Sequence, residues 1–340
     1  MGDNQTVRWG IIGCGNVTEV KSGPGFQKAA GSKLVAVMRR NGALAEDYAK
    51  RHNVPRWYDD ADKLIADPEV DAVYVATPPG SHLEIAQKVA AAGKPCYMEK
   101  PMARSWEECR QMLQAFMQAR MPLFVAYYRR AQPRFVKVKE LIDSGALGKV
   151  TGVRYHISRA FNPTPAPEWR LSAEQSGGGI FLDIGSHVID LLDHLVGEFV
   201  EYGGSASTGG ATPVEDAVSL HFRTARGVIG TALWNFADCK NEELLEIAGT
   251  QGRITMEVFT PGSFDLHRDG KVQRVEIPDP SHVAQPLIQT VVDELLGKGK
   301  CPSTGLTAAR TSKVMDACLN TFYNGREDSF WARPTTWRTA

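Results

Sequence analysis

The stretch VRWGIIGCGNV, residues 7–17, decides the fold of the first part of the chain. Its apolar first half predicts a buried strand, and its glycines predict a tight turn directly after that strand. Four more strand patterns follow, with helical patterns among them: KLVAVM, DAVYVA, PCYM and LFVAYY. Strands that alternate with helices predict a doubly wound parallel sheet of the α/β class.

Two glycines, Gly13 and Gly15, occupy the turn after the first strand. In a dinucleotide-binding fingerprint the first glycine makes the turn, and the second lets backbone N–H groups approach a pyrophosphate. We therefore expect Gly13, Gly15, Asn16 and Val17 to bind a coenzyme. The third fingerprint position is Thr18, so we expect helix and strand to pack less closely there. The alternative is that this G-x-G is only a turn.

Two arginines, Arg39 and Arg40, follow the second strand pattern, and the next acidic residue along the chain is Glu46. NAD-binding proteins usually place a carboxylate here for the ribose 2′-hydroxyl, whereas a guanidinium pairs with a 2′-phosphate. The sequence therefore favours NADP(H), with NAD(H) as the alternative, and predicts that both arginines contact it. The competing interpretation is a solvated turn.

Two further turns follow predicted strands at the ligand edge of such a sheet. The TPPGSH turn contributes Thr77, Pro78 and His82, and the EKP turn contributes Glu99 and Lys100. We expect these five residues to bind the coenzyme. A surface lysine is usually only solvated, but this one follows an apolar strand and precedes a proline, a position that could hold an ammonium group beside the coenzyme.

The pattern changes after a predicted helix at residues 134–143. A long strand, KVTGVRYHISRAF, leads to a proline-rich loop and a helix, and residues 199–278 then consist of strand patterns with hairpin turns at Ala225-Arg226-Gly227 and Asp269-Gly270. Two helices, at about 285–297 and 305–323, follow. This order predicts a second α/β domain with a large, open, mainly antiparallel sheet.

The length of 340 residues exceeds what one ordinary core organises, so we expect two domains. Residues 1–126 would bind the coenzyme, and residues 127–340 would bind substrate and form the oligomer. Strands with apolar residues on both faces, such as Val218 and Leu220 alternating with Ala217, need a partner on one face. We therefore expect a homodimer or homotetramer.

The stretch GGGIFLDIGSHVID, residues 177–190, predicts a buried helix interrupted by acids and histidines. Asp183, His187, Asp190 and His194 are spaced i, i+4, i+7 and i+11, so at about 100° per residue they share one helix face. A histidine titrates near neutral pH and can exchange a proton with a substrate oxygen, and a nearby carboxylate can orient it or bind a hydroxyl. We also expect the glycines to let the helix start approach the coenzyme.

We expect Lys100, Asp183 and His187 to be catalytic, with the lysine stabilising an oxyanion and the other two also binding substrate. The far end of the stripe, Asp190 and His194, is expected to be structural. One alternative is a polar seam that is structural throughout. Another is a metal ion shared by Asp183 and His187, although the spacing offers no third ligand, and we expect no metal.

Five more residues flank these motifs. Trp169 and Arg170 precede the glycines and either cover the nicotinamide or pocket or anchor a loop. Tyr128, Arg129 and Arg134 follow the last parallel strand and either reach the substrate or brace the domains. We assign the first pair to the coenzyme, and Tyr128 and Arg129 to the substrate.

Composition narrows the class of protein. Lysine plus arginine and aspartate plus glutamate both number 39, which removes the usual electrostatic argument for a nucleic-acid or anionic-membrane partner. Six scattered cysteines without a CxxC pair favour reduced thiols. The stretch MGDNQTVR has no apolar signal core, and no later run approaches the length of a membrane span. We therefore expect a cytoplasmic protein with neither nucleic acid nor membrane as a partner.

Four motifs, in order, resemble the glucose–fructose oxidoreductase, inositol dehydrogenase and MocA family: G-C-G-N, T-P-P-x-x-H, E-K-P and G-G-G-x-x-x-D-x-G-x-H-x-x-D. The resemblance implies an N-terminal Rossmann domain and a C-terminal domain whose open sheet often builds a dimer or tetramer. It implies that Lys100 lies near nicotinamide and substrate, that Asp183 and His187 line the substrate pocket, and that the histidine transfers the proton.

The resemblance also implies NAD(P)-dependent oxidation or reduction of a sugar, polyol or related small molecule. VMRR and Trp169-Arg170 are most similar to NADPH-dependent sugar reductases and dihydrodiol dehydrogenases, whereas AYYRR lacks the Asn-His pair of some sugar reductases. We expect an NADP(H)-dependent oxidoreductase acting on a carbonyl or hydroxyl. The alternatives are an NAD-dependent glycosidase on the same fold and a non-catalytic nucleotide-binding regulator.

Overall fold

The computed structural model describes residues 6–160, 168–209 and 212–326. These residues form two compact units, each drawn from separate stretches of the chain. The first unit takes the described residues of Met1–Ala103, Glu108–Gln132 and Pro280–Ala309, and the second takes those of Arg104–Glu107, Pro133–Asp279 and Arg310–Ala340. The proline-rich loop after the long strand lies mostly outside the described residues.

Helices occur in both units. In the described residues they are α1 (Asn16–Val20), α2 (Gly23–Lys28), α3 (Gly42–Arg51), α4 (Ala61–Ala66), α5 (His82–Ala91), α6 (Trp106–Ala119), α7 (Pro133–Asp143), α8 (Ala173–Ser176), α9 (Ile180–Val196), α10 (Gln285–Leu295) and α11 (Gly305–Leu319). The helices predicted near residues 134–143, 285–297 and 305–323 are thus confirmed, although the last two end four residues or fewer before their predicted limits.

A six-stranded sheet is the centre of the first unit. Its strands are β1 (Val7–Ile12), β2 (Ser32–Met38), β3 (Arg56–Tyr58), β4 (Ala72–Val75), β5 (Cys96–Met98) and β6 (Leu123–Val125). They lie in the order β3-β2-β1-β4-β5-β6, and every neighbouring pair is parallel. This is the doubly wound sheet that the sequence predicts, and its strand order reverses beside β1, where such folds bind ligands.

The edge strand β3 was not predicted. It has only three residues, and its central Trp57 is 41% exposed, so it lacks the apolar run that marks the other strands. Trp57 pairs with Val37 of β2 across the parallel ladder. A short strand of this kind is recognisable only once its neighbour in the sheet is known.

The core of the first unit combines stacked aromatic rings with a helix from late in the sequence. Trp9 and Phe26 have ring centroids 4.9 Å apart, and Tyr74 continues the cluster. The apolar face of α10, including Leu287 and Val291, is buried in the same cluster. For this reason α10 belongs to the first unit, whereas the division expected at residue 126 assigned it to the second domain.

An eight-stranded sheet is the centre of the second unit. Its strands are β7 (Val150–Ala160), β8 (Phe199–Ser207), β9 (Ala217–Thr224), β10 (Ile229–Asp238), β11 (Glu242–Gly249), β12 (Gly252–Met256), β13 (Ser263–Arg268) and β14 (Lys271–Glu276). Their order is β14-β13-β12-β11-β7-β10-β9-β8. Only β7 and β10 pair in parallel among these described strands, which confirms the mainly antiparallel sheet.

The two predicted hairpin turns are present. β9 and β10 pair around Gly227, which has a φ of +79°. β13 and β14 pair around Asp269 and Gly270, which have φ values of +53° and +70°, as a tight type I′ connection requires. These turns fix the register that sends alternate side chains to opposite faces of the sheet.

One face of this sheet is covered within its own unit, and the other carries exposed apolar side chains. Trp234, Phe222 and Leu245 lie in one core with α9, α7 and α11. On the other face Ile229 and Leu233 are 64% and 46% exposed. The apolar side chains of α9 are buried in this core, so the helix that carries the polar stripe is fixed against the covered face of the sheet.

Candidate functional site

The turn after β1 is fixed against two neighbouring strands. Gly13 has a φ of +92°, and a Cβ there would lie 2.9 Å from the carbonyl carbon of Ala76. Both conditions require glycine. The N–H groups of Gly13 and Cys14 donate to the carbonyl of Met38, at 2.9 and 3.1 Å. The predicted coenzyme loop therefore lies at the carboxyl ends of β1, β2 and β4, the ligand edge of the sheet.

At position 15, neither the backbone conformation nor the packing of neighbouring protein atoms requires a glycine. Its φ is −141°, which other residues adopt readily, and a Cβ on it would meet nothing closer than Gly13 O at 3.9 Å. That Cβ would project into open space beside Asn16 and Val17, which begin α1. A ligand that approaches the backbone would use this space, so the loop fits a pyrophosphate.

The third fingerprint position is a buried threonine. Thr18 is fully buried, and its hydroxyl donates to Gly15 O at 2.8 Å. The Tyr48 hydroxyl donates to Thr18 O at 2.9 Å. A Cβ on Gly23 would overlap Thr18 O, so the start of α2 lies directly against the backbone of α1. The looser packing of helix against strand that we expect at this position stays a prediction.

Arg39 and Arg40 are exposed directly after β2. The backbone N–H of Arg39 donates to Tyr58 O at 3.1 Å, which fixes the start of this turn. Burial raises the pKa of the Cys14 thiol to about 11, and the positive charge of Arg39 opposes that rise. Arg39 directly follows Met38, whose carbonyl accepts hydrogen bonds from Gly13 and Cys14, so it lies at the strand end that holds the coenzyme loop.

An acidic side chain that the sequence argument did not consider also lies near this loop. The negative charge of Glu19 contributes to the raised pKa of Cys14. The Glu19 carboxylate accepts two hydrogen bonds from Arg51, at 2.7 and 2.9 Å, and lies 2.7 Å from His52 Nε2. The Arg51 contact lowers the pKa of Glu19 to about 2. The neighbourhood of the loop therefore holds a paired carboxylate, which no spacing along the chain indicated.

The TPPGSH turn is held together by its own hydroxyls and histidine. The Ser81 hydroxyl donates to Thr77 Oγ1 at 2.8 Å and to Pro78 O at 3.0 Å. His82 is fully buried, with Nε2 2.7 Å from Thr77 O and Nδ1 3.1 Å from Met102 O. Burial lowers the pKa of His82. Because both ring nitrogens face backbone carbonyls, this geometry favours a positioning role for His82 over the expected coenzyme contact.

The EKP turn follows β5, and its peptide bond between Lys100 and Pro101 is cis. The Glu99 carboxylate accepts a hydrogen bond from the Tyr74 hydroxyl and, at 3.1 Å, one from the backbone N–H of Lys100. Burial raises the pKa of Glu99, and the charge of Lys100 opposes that rise. Glu99 thus fixes the backbone that presents Lys100, whose own side chain is half-buried.

In the second unit, the three glycines before α9 are explained by protein neighbours. Gly177 has a φ of +91°, and a Cβ on it would overlap the backbone of Arg104. The Gly179 N–H donates to the buried carboxylate of Glu215 at 2.8 Å, and Tyr323 donates to the same carboxylate at 2.6 Å. Burial raises the pKa of Glu215. We expected these glycines to admit the coenzyme, but their close neighbours are Arg104 and Glu215.

The polar side chains on the first two turns of α9 differ in how exposed they are. The Asp183 side chain is 28% exposed, and its carboxylate lies 3.3 Å from Arg170 Nε. The Arg170 guanidinium lies 4.8 Å from the centre of the Trp169 ring. His187, one turn further, is 5% exposed, and the Phe259 ring contacts it edge to face at 6.2 Å. The structure therefore places Arg170 beside a predicted catalytic acid within its own unit.

The last turns of α9 differ from the first. Asp190 is 1% exposed, whereas His194 is half-buried. Asp193, which lies beside the predicted stripe, accepts two hydrogen bonds from Arg310, at 3.0 and 2.8 Å. This ion pair joins α9 to α11 and gives the far end a packing function.

Tyr128 and Arg129, predicted substrate contacts, lie in a short 3-10 turn after β6. Arg129 is buried and donates to the Tyr128 hydroxyl at 3.2 Å, with its guanidinium 5.1 Å from the centre of the Tyr128 ring. The two side chains thus form a local pair. Arg134, the third candidate of this segment, belongs to α7 in the second unit.

Two features, a cluster of metal-ligand side chains and a membrane-spanning helix, are absent from the described ranges, 6–160, 168–209 and 212–326. Histidine, cysteine, aspartate and glutamate side chains form no group of three or more there that could hold a metal ion. No helix there combines the length and apolar character that crossing a membrane requires.

Two family models match most of the chain. Residues 7–127 match the oxidoreductase family with an NAD-binding Rossmann fold. Residues 135–255 match the GFO/IDH/MocA C-terminal domain. The first match covers the parallel sheet, and the second runs from within α7 to within β12 of the second unit and includes α9.

Relatives match over almost the whole length. Oxidoreductase P35 of Formosa agariphila is 36% identical over 319 residues, 93% of this chain and 99% of that protein. Trans-1,2-dihydrobenzene-1,2-diol dehydrogenase of Danio rerio is 30% identical, with 81% of each chain covered. The structure of levoglucosan dehydrogenase in complex with NADH and levoglucosan has a TM-score of 0.82 at 25% identity, with 93% of this chain and 96% of that one covered. This chain therefore belongs to the GFO/IDH/MocA family of oxidoreductases with an NAD-binding Rossmann fold.

Proposed function

We propose that the protein is an NADP(H)-dependent oxidoreductase that transfers a hydride between nicotinamide and a carbonyl or hydroxyl of a sugar, polyol or dihydrodiol-like molecule. The observation that carries the proposal is the pair on the first turns of α9. Asp183 is partly exposed and lies 3.3 Å from Arg170, and His187 is buried one turn away. A carboxylate that can bind hydroxyls beside an imidazole that can move a proton suits an alcohol–carbonyl reaction.

Most of the proposed coenzyme contacts belong to the first unit. Gly13 meets a steric requirement of the loop, whereas Gly15 leaves open space that a pyrophosphate would take. Asn16 and Val17 would present backbone N–H groups to it, and Thr77 and Pro78 lie at the next strand end. The nicotinamide, when bound, supplies or accepts the hydride.

NADP(H) is preferred because Arg39 follows Met38, whose carbonyl holds the loop, and because Glu19 on α1 is already paired with Arg51. Arg39→Asp should weaken NADPH binding by about 1 kcal/mol or more, since a charge-assisted contact is replaced by repulsion. Binding of NADH should change much less. Lys33→Asp is the matched control, because Lys33 is exposed at the opposite end of β2. Equal affinities of the unmodified protein for NADPH and NADH would refute the preference.

The residues of this chain have separate chemical tasks in the proposal. Hydride addition to a carbonyl leaves an alkoxide, and His187 donates the proton that neutralises it; in the reverse direction His187 accepts that proton. Lys100 stabilises the developing oxyanion by its charge. Asp183 binds a substrate hydroxyl or orients the imidazole, and Arg170 holds its carboxylate in place. That Lys100 acts in the same reaction as His187 is an inference from the family resemblance.

Trp169 and Arg170 remain proposed coenzyme contacts, and Tyr128 and Arg129 remain proposed substrate contacts. The ion pair between Arg170 and Asp183 supports a substrate-side task for that arginine as well. The substrate class is supported by relatives named levoglucosan dehydrogenase and dihydrobenzenediol dehydrogenase. The functional division into coenzyme-binding and substrate-binding domains is part of the same proposal.

The experiment that tests this function is a coenzyme-consumption screen. The purified protein is given NADPH or NADH with keto-sugars, osones and dicarbonyls, and the oxidised coenzymes with polyols and trans-dihydrodiols. We expect turnover with at least one sugar-like or dihydrodiol substrate and faster turnover with the phosphorylated coenzyme. Tightly retained NAD with glycosidic cleavage would instead support the glycosidase alternative, and coenzyme binding without turnover of any substrate would support the regulator.

We also propose a homodimer or homotetramer in a reducing, cytoplasmic compartment. The exposed Ile229 and Leu233 on the open sheet face support an interface there. All six cysteines are free thiols, five of them buried, which supports a reducing compartment. A monodisperse monomer at micromolar concentration by light scattering would contradict the assembly.

A further inference from the structure

Residues 257–263, which link β12 to β13 and include the first residue of β13, form a loop that is anchored by a buried arginine that the proposed chemistry does not use. Arg134 on α7 is 2% exposed. Its Nη1 donates to the carbonyls of Glu257, Thr260 and Ser263 at 3.1, 2.6 and 3.3 Å, and its Nη2 donates to that of Val258 at 3.1 Å. Four carbonyls of one short loop thus converge on one guanidinium, whose planar donors suit this task better than a lysine would.

A buried carboxylate anchors the same loop through its N–H groups. Glu243 on β11 is 8% exposed. It accepts hydrogen bonds from the backbone of Val258 at 2.9 Å and of Phe259 at 3.3 Å, and from the Tyr155 hydroxyl at 3.1 Å. Burial raises the pKa of Glu243, and the two backbone donors oppose that rise. A charge buried in this way is tolerated because donors surround it, so carboxylate and loop stabilise each other.

These two anchors determine where Phe259 lies. The loop is held through its carbonyls by a cation and through its N–H groups by an anion. The ring of Phe259 contacts His187 edge to face, with the ring centroids 6.2 Å apart and an interplanar angle of 73°. The 257–263 loop therefore places an aromatic ring beside His187, the proposed proton-transfer group.

We propose that Arg134 and Glu243 are positioning residues for the reaction, which fix the 257–263 loop so that Phe259 holds the His187 imidazole in the orientation for proton transfer. The inference rests on the proposed function of His187. A catalytic group must keep its geometry within a fraction of an ångström, and supporting residues provide that precision. Neither Arg134 nor Glu243 needs to touch the substrate for this task.

The first test measures the position of His187 without using turnover. The ring-proton NMR resonances of His187, assigned by their loss in His187→Ala, are compared in the unmodified protein, Phe259→Leu and Arg134→Met. Phe259→Leu removes the ring current from the imidazole. If the guanidinium fixes the loop, the Arg134→Met resonance should move toward the Phe259→Leu position. Glu243→Gln retains the volume of the side chain and one acceptor, so it should move the His187 resonance part of the way toward the same position. This variant replaces Arg134→Met in the test if Arg134→Met does not fold.

The second test uses kinetics in the same variants. We expect kcat to fall roughly tenfold in Arg134→Met and in Phe259→Leu, with the Kd for NADPH unchanged. The double variant should show no further fall, because the arginine acts through the phenyl ring. Arg310→Met is the matched control: it also removes a partly buried arginine of the second unit and should lower the melting temperature without changing kcat.

The outcomes separate this inference from the proposed function. An unchanged His187 resonance in a folded Arg134→Met or Glu243→Gln protein overturns the inference whatever the rates are. Moved His187 resonances with a normal kcat in the same variants also overturn the inference. If kcat is normal in His187→Ala as well, the proposed function is wrong too. Moved resonances, a fall in kcat and a non-additive double variant, with Arg310→Met normal, support the positioning role.

Discussion

The two ends of α9 carry the same residue types in different surroundings. At the first turns, Asp183 is partly exposed beside a partly exposed arginine, and His187 is contacted by Phe259 from the loop that links β12 to β13. At the last turns, Asp193 is buried in a two-bond ion pair with Arg310. Spacing along a helix thus identifies which residues share a face, but exposure and partners decide which of them can meet a substrate.

The largest effect outside α9 is expected for Lys100. If its ammonium stabilises the oxyanion, Lys100→Ala should lower kcat/KM roughly a hundredfold or more, because the transition state loses a charge partner. Lys88→Ala is the control, since Lys88 is an exposed lysine of the same unit that pairs with Asp62 and Glu84 on the surface. Its steady-state kinetics should be normal. A near-normal Lys100→Ala enzyme would restrict the chemistry to the second unit.

A smaller effect is expected at the exposed acid of the near end. Asp183→Asn keeps the shape but removes the charge that faces Arg170, and it should lower kcat/KM roughly tenfold, mainly through KM, since a hydrogen bond to a charged group is weakened. Steady-state kinetics with a saturating coenzyme measure this. If KM and kcat both stay normal while the protein becomes less stable, Asp183 has a structural role like that of Asp193, and the two ends of α9 do not differ in function.

The smallest effect on rate is expected at the far end. Asp193→Asn should lower the free energy of unfolding by about 1 kcal/mol. This is less than for a fully buried ion pair, because Arg310 is partly exposed and solvent screens its charge. Its kcat/KM should stay within about twofold of normal. Asp190→Asn should likewise affect mainly stability. Urea unfolding and kinetics of the same samples compare the two quantities, and a large loss of turnover at normal stability would extend the functional stripe along the whole helix.

Most of the fold could be predicted because its signals are local. Five of six parallel strands have apolar runs, and the hairpin at Asp269-Gly270 has the residues that its positive φ values need. β3 escaped prediction because a three-residue edge strand has no periodicity. The place of α10 in the first unit escaped it because helix periodicity shows that one face is buried, not which core buries it.

The candidate site was predictable only where its residues lie in one motif. Asp183 and His187 share one helix, so their proximity follows from spacing. Glu215 binds the Gly179 N–H from 36 positions away, and Phe259 reaches His187 from a loop after β12; nothing in the local sequence marks either contact. Nor does the local sequence show that the Thr18 carbonyl lies against Gly23 and accepts a hydrogen bond from the Tyr48 hydroxyl.

The most direct test of the account is the turnover of His187→Ala set against its stability and coenzyme affinity. Loss of the proton-transfer group should lower kcat/KM roughly a hundredfold or more. The Kd for NADPH should be nearly unchanged, because His187 is not among the proposed coenzyme contacts, most of which belong to the first unit. The melting temperature should fall little compared with that of Asp193→Asn. Near-normal turnover in a His187→Ala protein that melts much lower would contradict the account and show that the stripe of α9 is a structural seam along its whole length.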